Sequence, residues 1–193
     1  MTISTTFPAE ALEDPDSSSV IIEHNGHSFD CAIANLDWAA VLTAEVTAKM
    51  GHILSAALSH ENIAPTEIAL LFTSDDAVAG LNKTHRDKDG ATDVLSFPAD
   101  EDDFLGDIAL AFTTVKNQAA ELAISLEDHL LHLTLHGTLH LCGHDHIDDD
   151  DAEAMEAIEI KILAEHGIAN PYALSSNEGA SDALSAGMKG VAS

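Results

Sequence analysis

The chain has 193 residues, 46% of them apolar, and 7 basic against 34 acidic side chains give it a formal net charge of −27. That length suits one domain with a full core, and the charge argues against a protein that holds DNA or RNA through a broad basic surface. Two cysteines are too few for a disulfide framework, and no apolar run reaches the roughly 18–20 residues that span a bilayer, so a soluble, cytoplasmic protein without a membrane role is expected.

Residues 1–18 are rich in Ser, Thr, Pro and acid, and residues 173–193 are small and polar. Both read as disordered tails around one domain at 19–172. Only four acids lie in the first tail and two in the second, so the negative charge belongs to the domain itself. "SVIIE" (Ser19 to Glu23) reads as a strand. Trp38, Leu42, Val46, Met50, Ile53 and Ala57 recur every three or four residues and predict one helix from Asp37 to about Ser59. After Pro65, "EIALLF" (Glu67 to Phe72) has the length and composition of a buried strand. Ser74 is an N-cap for a helix through Leu81, with Asp75 and Asp76 complementing its dipole. "DVLSF" (Asp93 to Phe97) and "GDIALAF" (Gly106 to Phe112) complete four expected strands. Three helices follow: Thr113 to about Leu122, Ser125 (as N-cap) to Leu141, and about Asp151 to Glu165. Strands mixed with helices in this order predict an α+β domain with about four strands.

The second of those helices runs out into "HGTLHLCGHDH" (His136 to His146). Residues four apart share a helix face, so His136 and His140 reach one ion together. Gly143 stops the helix and lets the chain fold back, which brings His146 to the same ion. Three neutral imidazoles with one open position form the donor set of catalytic zinc. His129, His132 and His144 are not read as ligands, since a histidine-rich helix face is otherwise polar surface. Cys142 points away by helix phase, and Cys31 and Cys142 read as spectator thiols. The H-E-x-x-H proteases carry their general base directly after the first ligand; here that position is Gly137, and the protease reading loses its base.

Upstream, Lys83, Arg86 and Lys88 gather three of the seven cations within six positions, and Arg86 is the only arginine. Its two readings are a phosphate contact and an ion pair with Asp87, Asp89 or Asp93. Thr92, Asp93 and Ser96 read as shaping the strand and loop beneath the cleft. The acidic runs Asp100 to Asp103 and Asp148 to Asp151 read as solvated loop and helix N-terminal charge.

Four stretches together, "LNKTHRDKDGATDVLSFP", "LGDIAL", "HGTLHLCGHDH" and "DDDDAEAMEAIEIKIL", resemble the YbeY family of single-strand-specific endoribonucleases, also called ribosomal RNA maturation factors. The resemblance runs from about Val20 to Tyr172. It implies a compact α+β domain with a mixed sheet and zincin-like architecture, one Zn²⁺ on His136, His140 and His146, and a functional arginine at Arg86. It further implies processing of single-stranded ribosomal RNA, notably at the 3′ end of 16S RNA, a part in ribosome quality control, and ribosomal or small-subunit proteins as partners. One departure is His144, where the family usually has Tyr. The general base stays open among Asp145, Asp107 and His144, with Asp145 read foremost as the carboxylate that orients a ligand imidazole. The alternatives are a metallohydrolase of another substrate class and a non-catalytic metal-binding assembly factor.

Overall fold

The computed structural model describes residues 17–173. The tails expected at 1–18 and 173–193 fall outside those residues but for Ser17, Ser18 and Ala173.

The described chain opens with a hairpin of β1 (Ser18–His24) and β2 (His27–Ile33). Asn25 and Gly26 join them with φ of 51° and 84°, the two-residue turn whose twist matches that of paired strands. β2 corrects the expected four strands to five. Its buried residues Phe29, Cys31 and Ile33 alternate with the partly exposed Ser28, Asp30 and Ala32, so period two rather than a long apolar run marks it. β3 (Glu67–Thr73), β4 (Val94–Pro98) and β5 (Phe104–Ala111) complete one mixed sheet in the order β1-β2-β3-β5-β4. β3 runs parallel to both β2 and β5, whereas the outer pairs β1/β2 and β4/β5 are antiparallel. Among the described residues no helix is long and apolar enough to cross a membrane.

The helix expected from Asp37 divides into α1 (Leu36–Ala39) and α2 (Ala44–His60). All six residues of its predicted apolar face are nevertheless buried. Trp38 donates through Nε1 to the Thr73 carbonyl at 3.1 Å, which seats α1 over the end of β3. Thr43 restarts the helix as an N-cap, accepting from the Val46 N–H at 3.3 Å. α3 (Asp75–Arg86) starts at the expected cap Ser74 but runs past Leu81 and ends at Asp87 in a left-handed conformation, φ 52°. α4 (Phe112–Glu121), α5 (Leu126–Leu141) and α6 (Asp149–Glu165) follow.

The core has two parts. On one face of the sheet Phe29, Ile68, Leu70 and Ile108 meet Leu54 of α2, Leu139 of α5 and Ile162 of α6. On the other, Leu71, Leu95 and Ala109 meet Val78 and Leu81 of α3. Every residue of α5 from His129 to Leu141 is buried, as expected of a helix enclosed on all sides.

α4 has no cap of its own at Ala111. Asp75, from the first turn of α3, supplies one: its carboxylate accepts from the backbone N–H groups of Thr113 and Thr114, each at 2.9 Å, and from the Thr114 hydroxyl. Burial pushes this carboxyl up, but the bonds from Thr114 and Thr113 outweigh it and hold the group below its ordinary value. Asp75→Ala is expected to cost about 1–2 kcal/mol, read as a drop of roughly 2–8 °C in Tm. Because the folded-state value is depressed, the contribution is complete above the unfolded value of about 3.9 and lost as pH falls through the lower folded one. Melts of both proteins should therefore converge on acidification below about pH 4.

Candidate metal centre

α5 lies directly against the sheet because position 137 has no side chain. A Cβ built at Gly137 would stand 3.0 Å from Ser96 Oγ and 3.1 Å from Ile108 Cγ2. The Ser96 hydroxyl instead donates to the Gly137 carbonyl at 3.1 Å. The position that carries the base in H-E-x-x-H proteases thus faces β4 and β5, with no room for a glutamate.

The helix ends as the sequence predicts. Gly143 takes φ 97°; its N–H bonds to the His140 carbonyl and that of His144 to the Leu139 carbonyl, each at 3.0 Å. This paired pattern around a left-handed residue is a Schellman turn, and it reverses the chain over the last turn of α5. The His144 carbonyl then meets Nδ1 of His140 at 2.8 Å, and His146 comes to lie beside both helix histidines. The ring of His146 is stacked on that of His136 at 5.5 Å between centroids, and its centroid is 5.0 Å from that of His140.

One ring nitrogen from each of His136, His140 and His146 lies within 4.8 Å of the others. Among the described residues this is the one such group of three His, Cys, Asp or Glu. The hydrogen bonds around it set the tautomers. His136 Nδ1 faces Glu159 Oε1 at 2.8 Å and His140 Nδ1 faces a carbonyl, so both must carry the proton on Nδ1. Their Nε2 atoms are then bare acceptors, 3.0 Å apart. Nε2 of His146 is buried without a hydrogen-bond partner. Two facing lone pairs and one orphaned buried nitrogen fit a cation between them. Burial, then the neighbouring His136, pushes His140 down to about 3, and the same two causes, in that order, lower His146. The neutral imidazole is the form that ligates a metal.

Glu159 lies in the last of the four family-like stretches, but the sequence assigns it no role. It is 0% exposed and accepts from His136, from Nε2 of His132 at 3.2 Å, and from the Tyr172 hydroxyl. Burial opposes its charge, but His132 and His136 prevail and hold it below the ordinary carboxylate range. A signal was present: on α6 Met155, Glu159 and Ile162 share one buried stripe, so an acid stands at an apolar phase. His129 and His132, expected as polar surface, are 1% and 2% exposed. His129 Nε2 pairs with Gln118 Oε1 at 2.9 Å, and neither ring joins the cluster. His144 turns its ring away, its Nε2 lying 3.0 Å from Glu61 Oε1.

Asp145 accepts the backbone N–H of His146 at 2.7 Å. Asp107 is wholly buried on β5. Asp93 takes the Thr92 hydroxyl and the Val94 N–H on one oxygen and Gln118 Nε2 on the other, which builds it into the start of β4. Arg86 donates through Nη2 to the Ser96 carbonyl at 2.9 Å and lies 5.7 Å over the ring of Phe97. Ser96 therefore links the arginine to the histidine helix. The nearby acids Asp87 and Asp89 pair with Lys83, at 3.3 and 3.1 Å. Burial pushes both thiols up to about 12, in keeping with spectator cysteines.

Residues 32–167 match the family model described as Endoribonuclease YbeY. Proteins named Endoribonuclease YbeY are 49% identical over 116 residues in Agrobacterium fabrum (56% of this chain, 69% of the relative) and 48% over 138 residues in Erythrobacter litoralis (65% and 84%). In Rhodopseudomonas palustris the figure is 38% over 169 residues, covering 83% of this chain and 89% of the relative. A solution structure from Thermotoga maritima aligns with 64% of this chain and 85% of its own, at 27% identity and a TM-score of 0.48.

The close seat of α5 is open to a direct check. Gly137→Ala is expected to cost about 1–3 kcal/mol, the usual penalty for overpacking, measured by denaturant or thermal unfolding. An unchanged midpoint would show that β4 and β5 yield to the added methyl group.

Proposed function

The chain belongs to the Endoribonuclease YbeY family, and from that premise we propose that it is a zinc-dependent endoribonuclease acting on single-stranded ribosomal RNA, with His136, His140 and His146 holding one Zn²⁺ and Arg86 contacting the phosphate. The observation that carries the reading is the convergence of three ring nitrogens, two of them held as facing acceptors 3.0 Å apart by Glu159 and the His144 carbonyl.

Bound there, Zn²⁺ supplies a Lewis acid for a phosphoryl oxygen and lowers the pKa of water toward roughly 7. The protein's own groups do the rest. Glu159 and the His144 carbonyl keep two imidazoles in the ligating tautomer, a role whose loss typically weakens metal binding. Asp145 fixes the backbone at His146. Arg86, oriented by the Ser96 carbonyl and stacked on Phe97, meets the phosphate and stabilises charge that develops on its oxygens. With a net charge of −27 the protein repels free RNA at long range, so recognition leans on ribosomal or small-subunit proteins. The processing role proposed is maturation of the 16S 3′ end and ribosome quality control, in the cytoplasm.

Cleavage of single-stranded ribosomal RNA by nuclease-free wild type, His136→Ala and Arg86→Ala tests this. A loss of about 10²–10³-fold is expected for Arg86→Ala, the scale of removing a charge-stabilising donor, and a larger one for His136→Ala. Equal rates in all three would sink the reading. Metal analysis of untagged protein should give one zinc per chain. Glu159→Gln should raise the zinc Kd about 10–100-fold, measured by chelator competition.

A further inference from the structure

His144 occupies an unusual place between the ligands. Its carbonyl accepts from His140 Nδ1 at 2.8 Å, so the orientation of that one peptide decides where the His140 ring aims. Its N–H closes the Schellman turn on Leu139. Two residues further on, the chain delivers His146. The stretch between Gly143 and His146 belongs to no helix or strand, and a segment without its own ladder must lose backbone freedom, about 1–2 kcal/mol per residue, when it is fixed.

The side chain of His144 shows what restrains it. Nε2 lies 3.0 Å from Oε1 of Glu61, the two side chains being 23% and 21% exposed. Glu61 is the C-cap residue of α2, where its own N–H bonds to the Ala57 carbonyl at 3.0 Å. The same Oε1 is 3.9 Å from His60 Nε2, so His144 is the closer partner. α2 is anchored by Met50, Ile53, Leu54, Ala57 and Leu58, all 0% exposed. The histidine loop is thus tied to a rigid element that contributes no ligand.

We propose that Glu61 is a positioning residue for the metal centre, acting through His144. By holding the imidazole of His144 it fixes the peptide whose carbonyl selects the His140 tautomer, and with it the path to His146. The loop is then ordered before the ion arrives, and binding does not pay that cost again. The inference rests on reading the three histidines as a zinc site. A pair serving stability alone would leave zinc affinity untouched, which separates the two.

The test uses the full chain and zinc itself. Zinc Kd is measured by competition with a chromophoric chelator for wild type, Glu61→Ala, Glu61→Gln, His144→Ala and the Glu61→Ala/His144→Ala double variant. Glu61→Ala is expected to bind about 3–5-fold more weakly, the upper scale of one partly exposed pair of this kind. Glu61→Gln, which keeps a polar oxygen in the same place beside Nε2, should stay within about twofold of wild type. The double variant should match His144→Ala if Glu61 acts through that imidazole. Wild-type affinity in Glu61→Ala overturns the proposal, as does an additive double variant. Equal weakening by Ala and Gln overturns it too, by showing that charge rather than anchoring matters. A wild type that takes up no zinc sinks the metal reading itself, an outcome distinct from all of these.

Discussion

Glu159 is a carboxylate with no exposed surface, and a buried charge at that depth costs several kcal/mol unless donors surround it. Much of the domain is arranged around meeting that demand. α6 must lie against α5 so that His132 and His136 reach the two oxygens, and the chain beyond α6 must return so that Tyr172 reaches one of them. The satisfied carboxylate in turn fixes the proton of His136 on Nδ1 and leaves Nε2 directed at His140. On the proposed reading a divalent cation bound by three neutral imidazoles also balances this buried negative charge, so loading and core electrostatics support each other.

The acidic composition and a phosphate substrate are reconciled by where the few cations are spent. Lys83 is engaged with Asp87 and Asp89, whereas Arg86 is directed to the β4 carbonyl of Ser96, one hydrogen bond away from the histidine helix. Acids elsewhere have local duties. Asp75 caps α4 across a gap of nearly forty residues, and Asp148 caps α6, accepting from the Asp151 N–H at 3.0 Å while Asp149 to Asp151 complement its dipole. The run Asp148 to Asp151 thus serves helix initiation.

The elements that were legible before any coordinates are those with a strong local period or a strong local stop. The six apolar positions from Trp38 to Ala57 are buried as expected, and Ser74, Ser125 and Gly143 act where their chemistry says they should. β2 lacks a strong local signal because its buried side chains alternate with the partly exposed Ser28, Asp30 and Ala32, although the Asn25–Gly26 pair is the turn that announces a hairpin. The break at 40–43 is equally hidden, because the apolar face continues through it; in the fold Trp38 is bonded to Thr73 and Thr43 caps the new helix.

The ligand trio follows from sequence because helix pitch puts His136 beside His140 and a left-handed glycine returns His146, all within eleven residues. Family membership likewise rests on short stretches whose order is written in the chain. Only the tertiary structure decided which acceptor holds each imidazole. Glu159 serves His136, the His144 carbonyl serves His140, and Asp145, the nearest carboxylate in sequence, holds a backbone N–H instead. It also decided that His129 and His132 belong to the core and that Gly137 is empty for packing. The physical reason is range: backbone geometry acts over a few residues, whereas hydrogen-bond partners for buried groups are chosen by which helices meet, and those meetings are set by the packing of the whole core.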